Sequence, residues 1–389
     1  MNTPPAERAV ERSAACAGGG WGQARNILCI RLDNLGDVLM TTPALRALKQ
    51  SAPGRRLSLL CSPSGARLAP HLDCVDEVLP YQAPWMKNTR GADPAPDLAM
   101  IETLRAARFD AAAIFTVYSQ SALPAALMCM LAGIPRILAH ARENPYRLLT
   151  HWIKDDTPLD GGRHETRRQL DLAASVGAAC DDESLAFALR AEDRQGARDR
   201  LARHGIGAGE RFVVVHPGAT APSRRYPPER FAVAVRLLSK QMRVVLTGDA
   251  GERELAGHVD VLAGRRAVNL AGQLALGELG ALLADAEVLV SNNSGPVHIA
   301  AAVGTPVADL YALTNPQHAP WGVAHRLLNQ DVPCKYCYRS ICPEGHHACL
   351  AGVEPATVAA AAFELAGARR RSSSDSSSPP PGHARRAAA

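Results

Sequence analysis

Twice along this chain, short runs rich in Val, Ile, Leu and Ala alternate with amphipathic stretches of about 10–15 residues, the pattern of βαβ units feeding parallel sheets. Strands are expected at residues 26–31, 56–61, 76–79, 110–116 and 134–139 in the first half. In the second half they are expected at 211–216, 243–247, 267–270, 287–291 and 306–311. Helices are predicted at 37–51, 227–240, 251–263, 276–284 and 295–303. The fold class is therefore α/β, with two doubly wound domains at residues 25–180 and 181–366. Their junction falls where Gly177 and the acidic run Asp181-Asp182-Glu183 break the pattern. A length of 389 residues suits two domains of roughly 150–200 residues each.

The two ends read differently. Residues 1–24, which run through Gly18-Gly19-Gly20, and residues 367–389, rich in Ser, Pro and Arg, carry too little apolar surface to fold and are expected as a disordered leader and tail. Of the net charge of +5, five tail arginines (369, 370, 371, 385 and 386) against Asp375 supply +4, which leaves the body near +1. That balance argues against a fold built around a basic nucleic-acid surface, and no nucleic-acid partner is expected. The basic tail leaves open a peripheral contact with anionic lipid, beside the plainer reading of a solvated tail. Glu7, Arg8, Glu11 and Arg12 stand where a secretory signal has its apolar run, and Ser13-Ala14-Ala15-Cys16 lacks the apolar stretch that precedes a lipoprotein cleavage site. Residues 122–134, the most apolar interior stretch, are broken by Pro124 and fall short of the roughly 18–20 residues of a membrane span. The expected location is cytoplasmic, with a peripheral position at the inner membrane as the variant.

In doubly wound sheets, ligands bind beyond the carboxyl ends of the strands. Four such ends carry chemistry. Asp37 follows the first strand in Arg31-Leu32-Asp33-Asn34-Leu35-Gly36-Asp37, where it reads either as a helix cap or as a lone general base for a hydroxyl nucleophile. His216-Pro217-Gly218-Ala219 leads to Arg224-Arg225, either an anion pocket or two solvated arginines. Thr247-Gly248 and Glu252 form a glycine-bearing turn in which the carboxylate suits ribose hydroxyls. Asn293, Ser294, Gly295 and His298 crowd a helix start that favours a diphosphate, against a plain N-cap and a buried, satisfied histidine. No strand is followed by G-x-G-x-x-G, which lowers a dehydrogenase reading.

Together these segments resemble glycosyltransferase family 9, the ADP-heptose:lipopolysaccharide heptosyltransferases. The match rests on L-x-x-L-G-D-V-L-x-T-x-P-A-L around Asp37, on His216-Pro217-Gly218-Ala219 with Arg224-Arg225-Tyr226-Pro227-x-Glu229, on Asn269-Leu270-Ala271-Gly272, and on the run from Ser291 to Ala301, and it covers about residues 26–366. The resemblance implies a GT-B fold, two Rossmann-like domains facing across a cleft, with the acceptor on the N-terminal side. It implies inverting transfer of heptose from ADP-heptose to a hydroxyl of a lipid-linked glycan, the lipopolysaccharide core or a related envelope glycan, with no cofactor and no catalytic metal. By the same resemblance Asp37 would be the base, Arg224 would steady the leaving diphosphate, Glu252 would hold the ribose, with Thr247 and Gly248 also on the donor side, Gly272 and Leu274 the adenine, and Asn293, Ser294, Gly295 and His298 the diphosphate and sugar. The chain departs from the family at Arg224 for lysine, Tyr226 for tryptophan and Asn293 for a frequent aspartate. The alternatives are a GT-B transferase with another nucleotide sugar or a protein acceptor, and a nucleotide-sugar-binding protein without activity.

Ten cysteines are too few for a disulfide scaffold in a chain of this length. Four of them cluster as Cys334-x2-Cys337-x4-Cys342-x6-Cys349, with His346 and His347 inside. That spacing fits a structural metal site or reduced thiols, and only its first pair is tight.

Overall fold

Each half folds as the alternation demands, into a six-stranded sheet in which every neighbouring pair is parallel. The computed structural model describes residues 20–87, 91, 93–156, 162–314 and 316–376. The first sheet contains β1 (Asn26–Arg31), β2 (Arg56–Cys61), β3 (Glu77–Pro80), β4 (Ala111–Ile114), β5 (Ile137–Ala141) and β6 (His151–Lys154), in the order β3-β2-β1-β4-β5-β6. The second contains β7 (Phe212–His216), β8 (Arg243–Leu246), β9 (Ala267–Asn269), β10 (Val288–Asn292), β11 (Val307–Leu310) and β12 (His325–Leu328), in the order β12-β11-β10-β7-β8-β9. Counted from its own first strand, each sheet has the same doubly wound order, which reverses between β1 and β4 and between β7 and β10.

The helices are α1 (Leu35–Gln50), α2 (Pro63–Ala66), α3 (Ala95–Ala106), α4 (Leu123–Leu131), α5 (Glu165–Ala174), α6 (Ala191–Arg203), α7 (Pro228–Leu238), α8 (Arg253–Leu262), α9 (Leu276–Asp285), α10 (Gly295–Ala302), α11 (Ala348–Ala351) and α12 (Pro355–Ser376). Strand residues alternate between faces, as the pleat requires. Ile27 and Cys29 join a core under α1, while Leu28 and Ile30 join one under α4. The first of these cores continues through Phe187, Leu201, Leu282 and Val297 to Val214 and Leu289, so the facing layers of the two sheets share one apolar interior. A separate core packs Val213, Val215 and Val290 against Phe231 of α7 and Val358 and Leu365 of α12.

All ten expected strands are present. The two that sequence periodicity missed, β6 and β12, are edge strands with the sequences HWIK and HRLL, half-exposed and without a β-branched run. Both expected disordered ends need correction. In the leader, Trp21 and Ala24 are buried, and the Trp21 carbonyl accepts from Arg55 Nη2 at 2.5 Å. At the other end α12 continues through Ser376, and Arg369 donates from Nη2 to the Ala284 carbonyl at 2.8 Å at the C-terminal end of α9, where free carbonyls attract a cation. Residues 1–19 and 377–389, the rest of the expected leader and tail, lie outside the described residues.

Candidate active site

The topology brings the carboxyl ends of β1 and β4 opposite those of β7 and β10, and α1 packs on α10 across the gap. On the first side the centre is Arg31, the last residue of β1 and wholly buried. Its Nη1 lies 3.0 Å from Glu165 Oε1, its Nε 2.9 Å from Asp33 Oδ2 and its Nη2 3.5 Å from Asp37 Oδ1. Gln169 Nε2 donates to the same Glu165 oxygen at 2.6 Å, and Gln120 Nε2 donates to Asp33 Oδ1 at 2.7 Å. One guanidinium thus serves three carboxylates. Burial lifts Asp33 to about 6 against the pull of Arg31. Asp37 is also raised by burial, with Arg31 and, from the other domain, Arg224 pulling it back. Glu165 behaves oppositely: burial pushes it up, but Arg31 and Arg168 hold it below its ordinary value.

Asp37 is the third residue of α1, and its Oδ2 accepts from the Asn34 N–H at 3.1 Å. The capping reading is therefore right in kind, although Asn34 occupies the cap position itself. The Asp37 side chain keeps 17% of its surface open, against 7% for Asp33 and 1% for Glu165, so of the three it is the carboxylate most open to an incoming hydroxyl.

On the second side, Arg224 closes the 3-10 turn Pro222–Arg224. The turn is braced from behind, because Ser223 N–H donates to the Ser340 carbonyl at 3.1 Å and Ser223 Oγ to the Arg339 carbonyl at 2.6 Å. Arg224 Nη1 donates to the Asn293 carbonyl at 3.3 Å. Asn293 Nδ2 donates in turn to Asp309 Oδ2 at 3.1 Å, a carboxyl that burial raises to about 7. Ser294 stands at the N-cap position of α10 but donates its hydroxyl to the Asn292 carbonyl at 3.1 Å, so that among the described residues the N-cap residue gives the helix start no side-chain cap. Gly295 begins the helix. His298 is buried one turn on, held neutral by desolvation that lowers it to about 3, and its Nδ1 has no hydrogen-bond partner among the described residues.

The remaining candidates lie along the same sheet edge. His216 Nδ1 pairs with Thr247 Oγ1 at 3.0 Å, and its Nε2 lies 3.4 Å from Glu252 Oε2. Glu252 also accepts from the Asp249 N–H at 2.9 Å. Gly248 accepts from the Gly272 N–H at 2.8 Å, and Gly272 has φ +67°, a conformation that suits glycine. Leu274 packs at the border of the shared core.

Sequence reasoning missed Gln120, Glu165 and Asp309, and gave Arg31 no role although it opens the quoted motif. Asp33 stood inside the quoted motif without being assigned a role, and Glu165 carries no local signal because its partner is 134 residues away. The cysteine segment braces the Arg224 turn through Arg339 and Ser340. Cys334 Sγ lies 4.0 Å from His346 Nε2, the four cysteines of the segment are free thiols, and no group of three or more His, Cys, Asp or Glu is arranged to hold a metal among the described residues. Among the same residues no helix is long and apolar enough to cross a membrane.

A family model described as glycosyltransferase family 9 (heptosyltransferase) matches residues 98–348, which include every second-side residue above. This chain belongs to glycosyltransferase family 9. Within that family it is similar to lipopolysaccharide heptosyltransferase 3 of Escherichia coli (strain K12), 26% identical over 295 residues that cover 74% of this chain and 81% of the relative. Among solved structures it resembles the family 9 glycosyltransferase of Veillonella parvula DSM 2008, with a TM-score of 0.72 at 21% identity over 88% of this chain and 97% of that one. It also resembles E. coli ADP-heptose lps heptosyltransferase II, with a TM-score of 0.68 at 21% identity over 89% of this chain and 99% of that one. The fold is accordingly GT-B, and the family 9 chain is a glycosyltransferase.

Proposed function

We propose that this family 9 enzyme moves heptose from ADP-heptose to a hydroxyl of the lipopolysaccharide core, with inversion and without a metal ion. The observation that carries the reading is the packing of α1, which bears Asp37 in its first turn, on α10, at whose start Arg224 donates to the Asn293 carbonyl, so that the two residues come to one gap from opposite domains. Residues 25–180 take the acceptor and residues 181–366 the donor. Asp37 accepts the proton of the attacking hydroxyl, which adds to the anomeric carbon from the face opposite the departing ADP. Arg224 and the start of α10, at Ser294 and Gly295, neutralise the charge that grows on the leaving diphosphate. Asn293 holds that helix start in place through Asp309, and the neutral His298 offers its free ring nitrogen to the donor. Glu252, with Thr247 and Gly248, receives the ribose, and Gly272 and Leu274 flank the adenine. Closure of α1 on α10 keeps water from competing as nucleophile. The enzyme works in the cytoplasm, where it meets its lipid-linked acceptor at the inner face of the membrane.

The test is calorimetric titration with ADP-heptose, ADP, UDP-sugars and GDP-sugars, on the wild type and on Arg224→Ala. ADP-heptose should bind best, and the variant should lose about 10- to 100-fold in affinity for every diphosphate. A UDP- or GDP-sugar that binds best would replace the donor, and no binding at all would leave a protein without this activity.

A further inference from the structure

A cavity of about 220 Å³ opens beside Asp33, at the carboxyl ends of β1 and β4. That is below the roughly 300–1,000 Å³ of drug-sized sites and leaves room for one sugar ring. Its walls are mostly apolar, with Phe115 and Met86 among them and Thr116, Gln120 and Ser121 as neutral polar groups, and Trp85 lines it with 36% of its surface exposed. Trp85 meets Tyr81 edge to face, with ring centroids 6.1 Å apart. Among the described residues lining the cavity none is Lys, Arg or His, and the single charged one is Asp33; Asp37 does not line it. Asp33 is held from both sides, by Gln120 at 2.7 Å and Arg31 at 2.9 Å. Because Arg31 divides its charge among Asp33, Asp37 and Glu165, it cannot cancel the carboxylate that faces the cavity.

We infer that this cavity seats the acceptor sugar ring, and that Asp33, positioned by Gln120, makes the enzyme select an uncharged pyranose over one that bears a carboxylate. The inference rests on the transferase reading above and adds the class of acceptor to it. An apolar ring face lies on Trp85, as sugar C–H faces do on aromatic rings, while a hydroxyl donates to an oxygen of Asp33. An acidic sugar brings a second anion to a site whose lining, among the described residues, includes no cation, and like charges at a desolvated contact are strongly disfavoured.

The experiment compares methyl α-D-mannopyranoside with its C6 carboxylate, read by tryptophan fluorescence of the wild-type chain, Asp33→Asn and Trp85→Phe, with ADP-heptose binding measured on the same samples. The neutral glycoside should bind at least about tenfold better than the acidic one, Asp33→Asn should shrink that ratio to about threefold or less, and Trp85→Phe should remove most of the fluorescence change. Equal or better binding of the acidic glycoside, a ratio that Asp33→Asn leaves unchanged, or no binding of either up to about 100 mM overturns the inference. Intact ADP-heptose binding in those samples confirms a folded protein and confines the failure to this cavity, whereas loss of donor binding in the wild type defeats the transferase reading itself.

Discussion

A side-chain carbon added to Gly36 would come 2.6 Å from Cδ2 of His298, so the turn that delivers Asp37 and the helix that delivers the second-side groups touch at one glycine. No larger residue fits between these two helices without pushing them apart. The close packing of α1 on α10 at His298 therefore depends on the absence of one methyl group.

Gly36→Ala should cost about 1–3 kcal/mol by overpacking and lower turnover as the cleft is wedged open. His298→Ala removes the obstructing ring, so the double variant should be less destabilised than the sum of the two singles. Urea denaturation of all four proteins measures that coupling. Strict additivity would mean that the two residues do not meet.

Asp37→Asn keeps the shape of the side chain and an oxygen for the Asn34 N–H, but it cannot accept the acceptor proton. We expect kcat to fall by about 10²–10⁴, with donor affinity changed by less than about threefold. Turnover close to the wild type would remove Asp37 from the reaction.

Glu165 is the most buried partner of Arg31. Glu165→Ala leaves Asp33 and Asp37 on the guanidinium but deprives Arg31 Nη1 and Gln169 of their buried acceptor, and should cost about 1–3 kcal/mol, while Glu165→Gln, which retains an acceptor of the same shape, should cost less. Chemical denaturation ranks the two, and equal losses would argue that the charge, and not the shape or the acceptor that Gln retains, is what the site requires.

Buried histidines and a buried carboxyl pull the acid response in opposite directions. Desolvation lowers His164 and His140 to about 4 and His298 to about 3, from an ordinary 6.5. Below pH 6.5 the unfolded chain takes up protons that these rings refuse, so the stability they confer is full above that pH and is lost as pH falls toward the folded values. Asp33, raised from 3.8 to about 6, has the opposite sign: its contribution is full below 3.8 and is lost as pH rises through about 6. The clean measurement is a difference. Between pH 6 and 4.5, His164→Gln should reduce the slope of unfolding free energy against pH by up to about 1.4 kcal/mol per pH unit relative to the wild type. An unchanged slope would mean that His164 titrates alike in both states.

The sequence by itself carried what is local. Continuous apolar runs such as Ile27 to Ile30 and Val213 to Val215 suit strands buried on both faces, because the pleat sends successive side chains to opposite faces and each face is covered. Parallel strands joined by helices then point to the carboxyl ends as the place for chemistry, and Asp37, Arg224 and Asn293 could be named there as candidates. Local signals also misplaced the ends: α12 runs past residue 367, and Trp21 packs inside, since whether a polar-flanked residue is covered depends on what docks against it. The rest is set by contacts far apart in sequence. Arg31 meets Glu165 across 134 residues, and Gly36 meets His298 across the cleft between the two domains. No period or motif encodes such pairs, and each exists only because two separately folded sheets present complementary surfaces. That the catalytic candidate shares a buried arginine with two further carboxylates, and that Asp33 rather than Asp37 faces the cavity, were likewise decided by tertiary packing, since burial and charge at a site are sums over neighbours that the chain brings together only when it folds.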